Sequence, residues 1–367
     1  MREMKQSLYR LPFSKYNNPN GWIEPTTFCQ LKCPHCYRGA DNADFKSVHR
    51  NLTEILSEID ELIKIRNIQT LTIAGGEPLL YPQLVDLIKY AVSKKLNVYL
   101  ITNGILIDKE RLIELKKSGV TRIIIHIDKY QNRKSATTEK EVNDLRLEYC
   151  RLFRKVGGIS LGFMMPISAD NFQELDVLVP FFKDNADVIK EIGLTVLCEV
   201  LPDKELPENK KIDAKKIFMR VKKLYGLEYC AYLSKTNTNG ISWLFSYNIF
   251  AGKKLLGSID KKVARFIQED YHKKTDKYLF VSNKRFSLRF IALIFNKSII
   301  KIFWKNFINI LSTKINDQSI FIINTPQKIN DKWDCCDGCP DAIIFKGDLV
   351  PSCLLERVKQ GENIRIE

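Results

Sequence analysis

What this sequence lacks narrows its nature first. Met1 to Tyr16 contains no apolar core of signal-peptide length, so no export signal is expected. No membrane span is expected either. In the apolar helical stretch Lys297 to Leu311, Lys297, Lys301 and Lys305 interrupt any run of the ~20 apolar residues a span requires. No segment has the composition of disorder, and 45% of the chain is hydrophobic. Acidic residues are scarce: 43 Asp and Glu face 58 Lys and Arg, a net charge of +15. Such an excess suits an anionic partner (nucleic acid, a membrane surface or a phosphorylated substrate) or a merely solvated, lysine-rich surface. No RNA-recognition motif and no aromatic–basic strand pattern is present, which counts against nucleic acid. The ten cysteines lack the pattern of a secreted disulfide framework. They gather at 29–36 and 335–353, with Cys150, Cys198 and Cys230 between, which points to metal and a reducing cytoplasm. At 367 residues the chain suits one domain of about 200 residues with appendages.

What is there centres on one loop, Cys29-Gln30-Leu31-Lys32-Cys33-Pro34-His35-Cys36-Tyr37. A structural zinc site would show a second ligand pair a few tens of residues on. No cysteine follows Cys36 before Cys150. Iron–sulfur clusters are normally held by four thiolates. Three from one tight loop therefore leave one iron open to a ligand that is not protein. The C-x3-C-x2-C spacing with an aromatic residue behind it resembles the radical S-adenosylmethionine (radical SAM) superfamily. The resemblance implies that Cys29, Cys33 and Cys36 hold a catalytic 4Fe–4S cluster, that its open iron chelates SAM, and that Tyr37 lies beside the adenine. It also implies reductive cleavage of SAM to a 5′-deoxyadenosyl radical, which abstracts hydrogen from an unactivated C–H, and an electron donor of the flavodoxin or ferredoxin type.

A strand over 21–27 leads into this loop. A helix follows from Asn51 to Arg66, with apolar residues at 52, 55, 56, 59, 62 and 63. Strands are expected at 70–74, 97–102, 121–128, 159–165 and 192–198, with helices at 82–95, 108–118, 139–156 and 171–184. This alternation with near-continuous apolar strands argues for an α/β fold with a parallel sheet covered by helices. Six βα units match the partial (β/α)6 barrel that the radical SAM resemblance implies over roughly the first 200 residues. Gly75-Gly76-Glu77-Pro78 directly follows the second strand. Its glycines permit a tight turn, and the resemblance gives this stretch to the SAM amino group.

Ligands of such sheets collect at the carboxyl ends of the strands. Asn103 lies there, in an Asn-Gly turn that either meets SAM or only reverses the chain. His126 and Asp128 share one face of the fourth strand, and the resemblance assigns that place to the SAM ribose or carboxylate. Met164-Met165-Pro166 either walls the adenine or packs the core.

Three regions are expected: the barrel at 1–200, a mostly helical, basic and amphipathic region at 201–330, and a cysteine-containing metal-binding tail at 331–367. In the second, Lys301, Lys305 and Asn309 mark one helical face. Ile299, Ile300, Phe303, Trp304, Phe307, Ile310 and Leu311 mark the other. That helix either packs on the barrel or meets a membrane surface. In the tail, Cys335, Cys336, Cys339 and Cys353 flank a hairpin closed by Gly347-Asp348. This resembles a reduced SPASM or twitch extension, which implies an auxiliary 4Fe–4S cluster; zinc is the alternative. No cobalamin-binding domain is evident. The expected function is a radical SAM enzyme acting on a small-molecule or lipid-linked substrate, a sugar or a peptide. The alternative is a zinc-stabilised nucleic-acid-binding protein.

Overall fold

In this computed structural model the described residues are 2–41, 45–131, 133, 136–201, 204–278, 297–305 and 313–366. A helix, α1 (Arg2–Gln6), and a short strand, β1 (Tyr9–Arg10), come first. Six parallel strands then follow: β2 (Asn20–Ile23), β3 (Thr70–Ile73), β4 (Asn97–Thr102), β5 (Val120–His126), β6 (Ser160–Ile167) and β7 (Ile189–Val196). Helices α2 (Leu52–Arg66), α3 (Leu84–Ser93), α4 (Lys109–Ser118), α5 (Glu139–Val156) and α6 (Leu175–Asp184) lie between them. Parallel pairing needs such crossovers, and strands covered by helices become apolar along their length. All four residues of β3 are buried. Local chemistry sets the helix ends. Asn51 caps α2 by accepting from the Thr53 N–H, and Thr138 and Glu141 form a reciprocal capping box on α5.

The expected partial barrel is present. Among its described residues, the region expected to be mostly helical, 201–330, is not. After α7 (Ala214–Tyr225) it supplies β8 (Ala231–Ser234), β9 (Ile241–Ala251), β10 (Lys254–Ser258) and β11 (Ile315–Ile323). β11 pairs parallel with β7 on one side and antiparallel with β9 on the other, and β8 and β1 extend the sheet beyond β9. Ile241 to Ala251 places Ile241, Trp243, Phe245, Tyr247 and Ile249 at alternate positions with Ser242, Ser246 and Asn248 between them, a period-two strand signal that the expectation of a helical region overlooked. Of the amphipathic helix, Lys297–Lys305 is described. Phe303 packs on the main core while Trp304 is exposed. The expected residues Phe307, Asn309, Ile310 and Leu311 lie outside the described residues. Among the described residues no helix is long and apolar enough to cross a membrane.

The tail forms two hairpins, β12 (Gln327–Ile329) with β13 (Lys332–Asp334) and β14 (Ala342–Phe345) with β15 (Asp348–Pro351). Residues 338–341 reach the β2 side of the sheet. Asn18 donates to the Gly338 carbonyl (2.9 Å), Asn20 to that of Pro340 (3.1 Å) and Arg66 to that of Cys339 (2.7 Å). A Cβ at Gly338 would come within 2.3 Å of the Phe13 carbonyl, so this approach requires glycine.

Candidate active site at the barrel mouth

The cysteine loop leaves β2 through Glu24 to Phe28 and lies over the carboxyl ends of the parallel strands. Its turns are local: Cys36 N–H donates to the Cys33 carbonyl (3.2 Å) and Gly39 N–H to that of Cys36 (2.8 Å). His35 adopts a left-handed conformation (φ 60°), and its Nδ1 is 2.9 Å from Glu199 Oε2. Cys29, Cys33 and Cys36 are free and half-buried.

The Gly75-Gly76 turn supports this loop from below. Gly76 N–H donates to the Thr26 carbonyl (2.9 Å) and Glu77 N–H to that of Phe28 (2.6 Å). A Cβ would meet the Thr26 oxygen at 2.6 Å from Gly75 and the Phe28 oxygen at 2.3 Å from Gly76. The glycines therefore let two backbone segments touch. Pro78 is buried at the start of a short 3-10 turn, and the Glu77 carboxylate caps it. Glu77 is 0% exposed, and three donors hold it: Leu79 N–H (3.0 Å), the Thr102 hydroxyl (2.7 Å) and Asn103 N–H (2.7 Å). Burial pushes its carboxyl above the usual range, against the pull of those donors.

Asn103 joins the β4 turn to the loop. Its Nδ2 points at Cys29 Sγ (3.7 Å), and its Oδ1 accepts from Ile105 N–H (3.0 Å) and Gln30 (3.4 Å). Burial raises the Cys29 thiol, and the Leu31 N–H and Asn103 amide draw it partly back. Cys33 is pushed up to about 12, by burial first and then by the charges of Asp128, Cys36 and Cys29. Two such thiols that resist ionisation, with Cys36 beside them, suit a cationic centre, since coordination removes both the protons and the repulsion.

Asp128 is 3% exposed and 3.3 Å from His126 Nε2, with its other oxygen taken by Tyr130 N–H (2.8 Å). Its carboxyl sits below the usual range: burial opposes the charge, but His126, the Tyr130 N–H and Arg146 outweigh it. Arg133 extends beside Cys33, Asp128 and Glu77, with a buried Nε that has no partner. It stands in a polar loop without a motif, and only its place soon after β5 could have marked it. Tyr37 faces the tail: its hydroxyl reaches Glu24 (3.2 Å), and it packs against the cluster of Val200, Cys335, Leu354 and Ile364. Met164 lines the lumen, whereas Met165 is core.

Below the mouth the lumen encloses a cavity of about 250 Å³. Trp22, Tyr99, Trp243 and Phe321 give it aromatic walls, and its polar side carries the Arg122–Glu191 ion pair and Asp317. The Arg122 guanidinium also lies over the Tyr99 ring, 4.6 Å from its centre.

In the tail, Cys335 and the adjacent Cys336 turn to different surroundings, Cys335 toward Val200 and Leu354 and Cys336 toward the main core, where it hydrogen-bonds Cys339. Among the described residues no three His, Cys, Asp or Glu side chains are gathered tightly enough to hold a single metal ion.

Residues 23–181 match the radical SAM superfamily. This is a radical SAM domain. Members of that superfamily use a 4Fe–4S cluster and S-adenosylmethionine. The chain is similar to the Fe-coproporphyrin III synthase of Methanosarcina barkeri, 33% identical over 32% of this chain and 29% of that protein. A PqqA peptide cyclase of Bradyrhizobium diazoefficiens is 31% identical over 28% of this chain and 27% of its own length. Streptococcus suis SuiB, solved with its precursor peptide SuiA, aligns at a TM-score of 0.46 and 19% identity, over 56% of this chain and 46% of its own. The chain spans between 27% and 42% of the curated relatives it matches.

Proposed function

We propose that this chain is a radical SAM enzyme that removes hydrogen from an unactivated C–H of a compact amphipathic substrate held in the barrel lumen. The observation that carries the reading is the convergence of Cys29, Cys33 and Cys36 on one mouth with Asn103 against Cys29 and the Gly75-Gly76 turn beneath. When bound, the 4Fe–4S cluster and SAM supply reductive carbon–sulfur cleavage and a 5′-deoxyadenosyl radical. The chain's own residues bind and orient. Cys29, Cys33 and Cys36 are the thiolate ligands. The carbonyls of Gly75 and Gly76 accept from the methionyl ammonium, and Glu77 holds their turn in place while adding negative potential nearby. Arg133, with its unpartnered Nε, receives the methionyl carboxylate. His126, held by Asp128, and Asn103 face the ribose. Tyr37 and Pro78 close the flanks of this pocket.

The lumen has aromatic walls for a flat or greasy body and paired charges for a polar end. That suits a peptide side chain, a sugar, or the head of a lipid-linked molecule. A reducing protein of the flavodoxin or ferredoxin type would meet the basic surface. The tail cysteines, Cys339 and Cys353 with Cys335 or Cys336, would be the ligands of an auxiliary 4Fe–4S cluster, which would supply an electron acceptor. The decisive experiment is anaerobic reconstitution followed by dithionite and SAM, with 5′-deoxyadenosine measured by chromatography. Its formation is expected, with a raised SAM dissociation constant in Arg133→Met. A reconstituted protein that makes none overturns the reading.

A further inference from the structure

Between β10 and β11 the chain carries a helical segment that the chemistry at the mouth does not use. It runs from Lys261 through a π-helical stretch, Phe266–Asp270, to Thr275. It starts beside β9, where Ile259 N–H donates to the Tyr247 carbonyl (2.9 Å). It ends just ahead of β3, where Asn67 donates to Asp276 (3.2 Å) and Tyr278 N–H to Gln69 Oε1 (3.1 Å). The segment therefore crosses the amino-terminal end of the barrel, opposite the cysteine loop. Its residues Ala264 and Gln268 floor the lumen. A π turn is rare and recurs at functional positions; its extra residue changes which side chain faces inward.

Three polar atoms at this floor are buried and unpartnered. Gln268 is 8% exposed and Thr70 1%, and neither Gln268 Oε1 nor the Thr70 hydroxyl has a hydrogen-bond partner among the described residues. Arg122 Nε is buried and unpartnered in the same sense, although its guanidinium pairs with Glu191. All three residues line the lumen cavity. Native folds leave few such groups, and each calls for a ligand or an ordered water. The charges around them are already answered. The Tyr247 hydroxyl donates to Asp317, and the Lys190 ammonium donates to the Ala186 carbonyl (3.0 Å) with Asp317 nearby. Asp341, on the β2 side, lies within electrostatic reach of Arg66. Arg66, Arg122 and Lys190 thus balance Glu191, Asp317 and Asp341. The floor suits a neutral group.

We propose that this floor is the recognition end of the substrate site and that it takes an uncharged amide, as a carboxamide or a peptide unit. What stands open is a donor at Arg122, an acceptor at Gln268 and a hydroxyl at Thr70 that serves as either. An amide presents an N–H beside a C=O, and it meets the Gln268 carboxamide in either orientation of that side chain. A carboxylate brings no donor, and an ammonium no acceptor. The inference rests on the radical reading above and adds a length to it. Arg122 stands near the start of β5 and His126 at its end, about 13 Å apart along a parallel strand. The cavity reaches up to Met164, the strand neighbour of His126. The substrate's amide therefore lies on the order of 13 Å from the carbon that loses hydrogen.

The test titrates the anaerobically reconstituted full chain by calorimetry with phenylbutanamide, phenylbutanoate and phenylbutylamine, probes of matched length with different ends. The amide is expected to bind saturably, about tenfold more tightly than the acid or the amine. Gln268→Leu and Thr70→Val should each weaken the amide about tenfold, the worth of one hydrogen bond. Gln268→Glu should turn the preference to the amine, since a carboxylate then stands where a neutral acceptor stood. A purely structural Gln268 would leave the order of the probes alone. Equal affinities for the three probes, or an unchanged order in Gln268→Glu, overturns the proposal. So does the absence of saturable binding, the result expected of a cavity that holds ordered water only. The order in the unaltered chain needs no substitution, so a variant that fails to fold leaves the test intact. 5′-Deoxyadenosine formation in the same preparation separates the two readings. If it forms and the amide preference fails, the floor alone is lost. If it does not form and the preference holds, the floor stands as a binding site and the radical reading is lost.

Discussion

Cys29, Cys33 and Cys36 lie within one turn of chain, whereas Cys198, Cys335 and Cys353 come together only because β7 and the tail meet. The first group is shaped by local hydrogen bonds and by the glycine turn below it. The second depends on docking. Arg38, buried immediately behind the loop, pairs with both Glu24 and Glu356 (the latter at 2.9 Å), and Arg357 donates to the carbonyls of Val200 and Leu201 (both 2.7 Å). A site made of near neighbours tolerates loosening elsewhere in the fold. A site made of distant ones reports that loosening at once.

The sharpest break in this comparison is chemical. Replacing Cys29, Cys33 or Cys36 singly by Ala is expected to abolish 5′-deoxyadenosine formation, since two thiolates make no stable cluster. Wild-type turnover in any of the three would remove the loop from the mechanism. Next comes the tail's anchor. Arg38→Met leaves the buried Glu24 without its cation, a loss of about 3–5 kcal/mol in urea unfolding. In that variant iron should leave the tail before the loop, and simultaneous loss would erase the distinction between the two groups.

Glu77→Gln sets an amide against the donors of Leu79 and Asn103. It should cost roughly 1–3 kcal/mol in denaturant unfolding and weaken SAM binding through the turn. An unchanged stability would mean those hydrogen bonds are dispensable. The smallest effect is expected at Asp128. Its folded carboxyl lies below its ordinary 3.8, so its stabilisation is complete above that value and is lost as pH falls through the depressed one. The stability gap between metal-free wild type and Asp128→Asn should therefore be constant near neutrality and close in acid. A gap that widens in acid would reverse the sign.

The first six parallel strands were legible because each is a short apolar run bounded by turn residues and followed by a helical pattern, with side-chain caps on α2, α4 and α5 though none on α3 or α6. Asn51 and Thr138 act locally, as the caps of α2 and α5. The C-x3-C-x2-C loop and Gly75-Gly76 were legible for the same reason. Glu77 was not legible in detail: the sequence places a carboxylate beside two glycines, but its burial under Thr102 and Asn103 depends on β4. Arg133 carries no motif at all, and only the fold brings it to other functional groups. β11 was missed because its residues find partners across long separations and its sequence alternates only weakly, whereas β9 carries an alternating pattern from Ile241 to Ile249 that could have marked it.

The position of β11 also constrains how the molecule is made. A strand ending at Ile323 lies between β7, ending at Val196, and β9, ending at Ala251. During synthesis the six parallel strands therefore emerge first, with β7 as an unpaired edge waiting for a partner more than a hundred residues behind it on the ribosome. Non-local pairing of this sort is slow, and an exposed edge in the interval invites pairing with another chain. Slow translation should lengthen the time for which β7 is exposed, because its partner β11 then emerges later. Truncation ahead of Ile315 should give aggregation-prone protein, even though every residue of the loop and the glycine turn would be present.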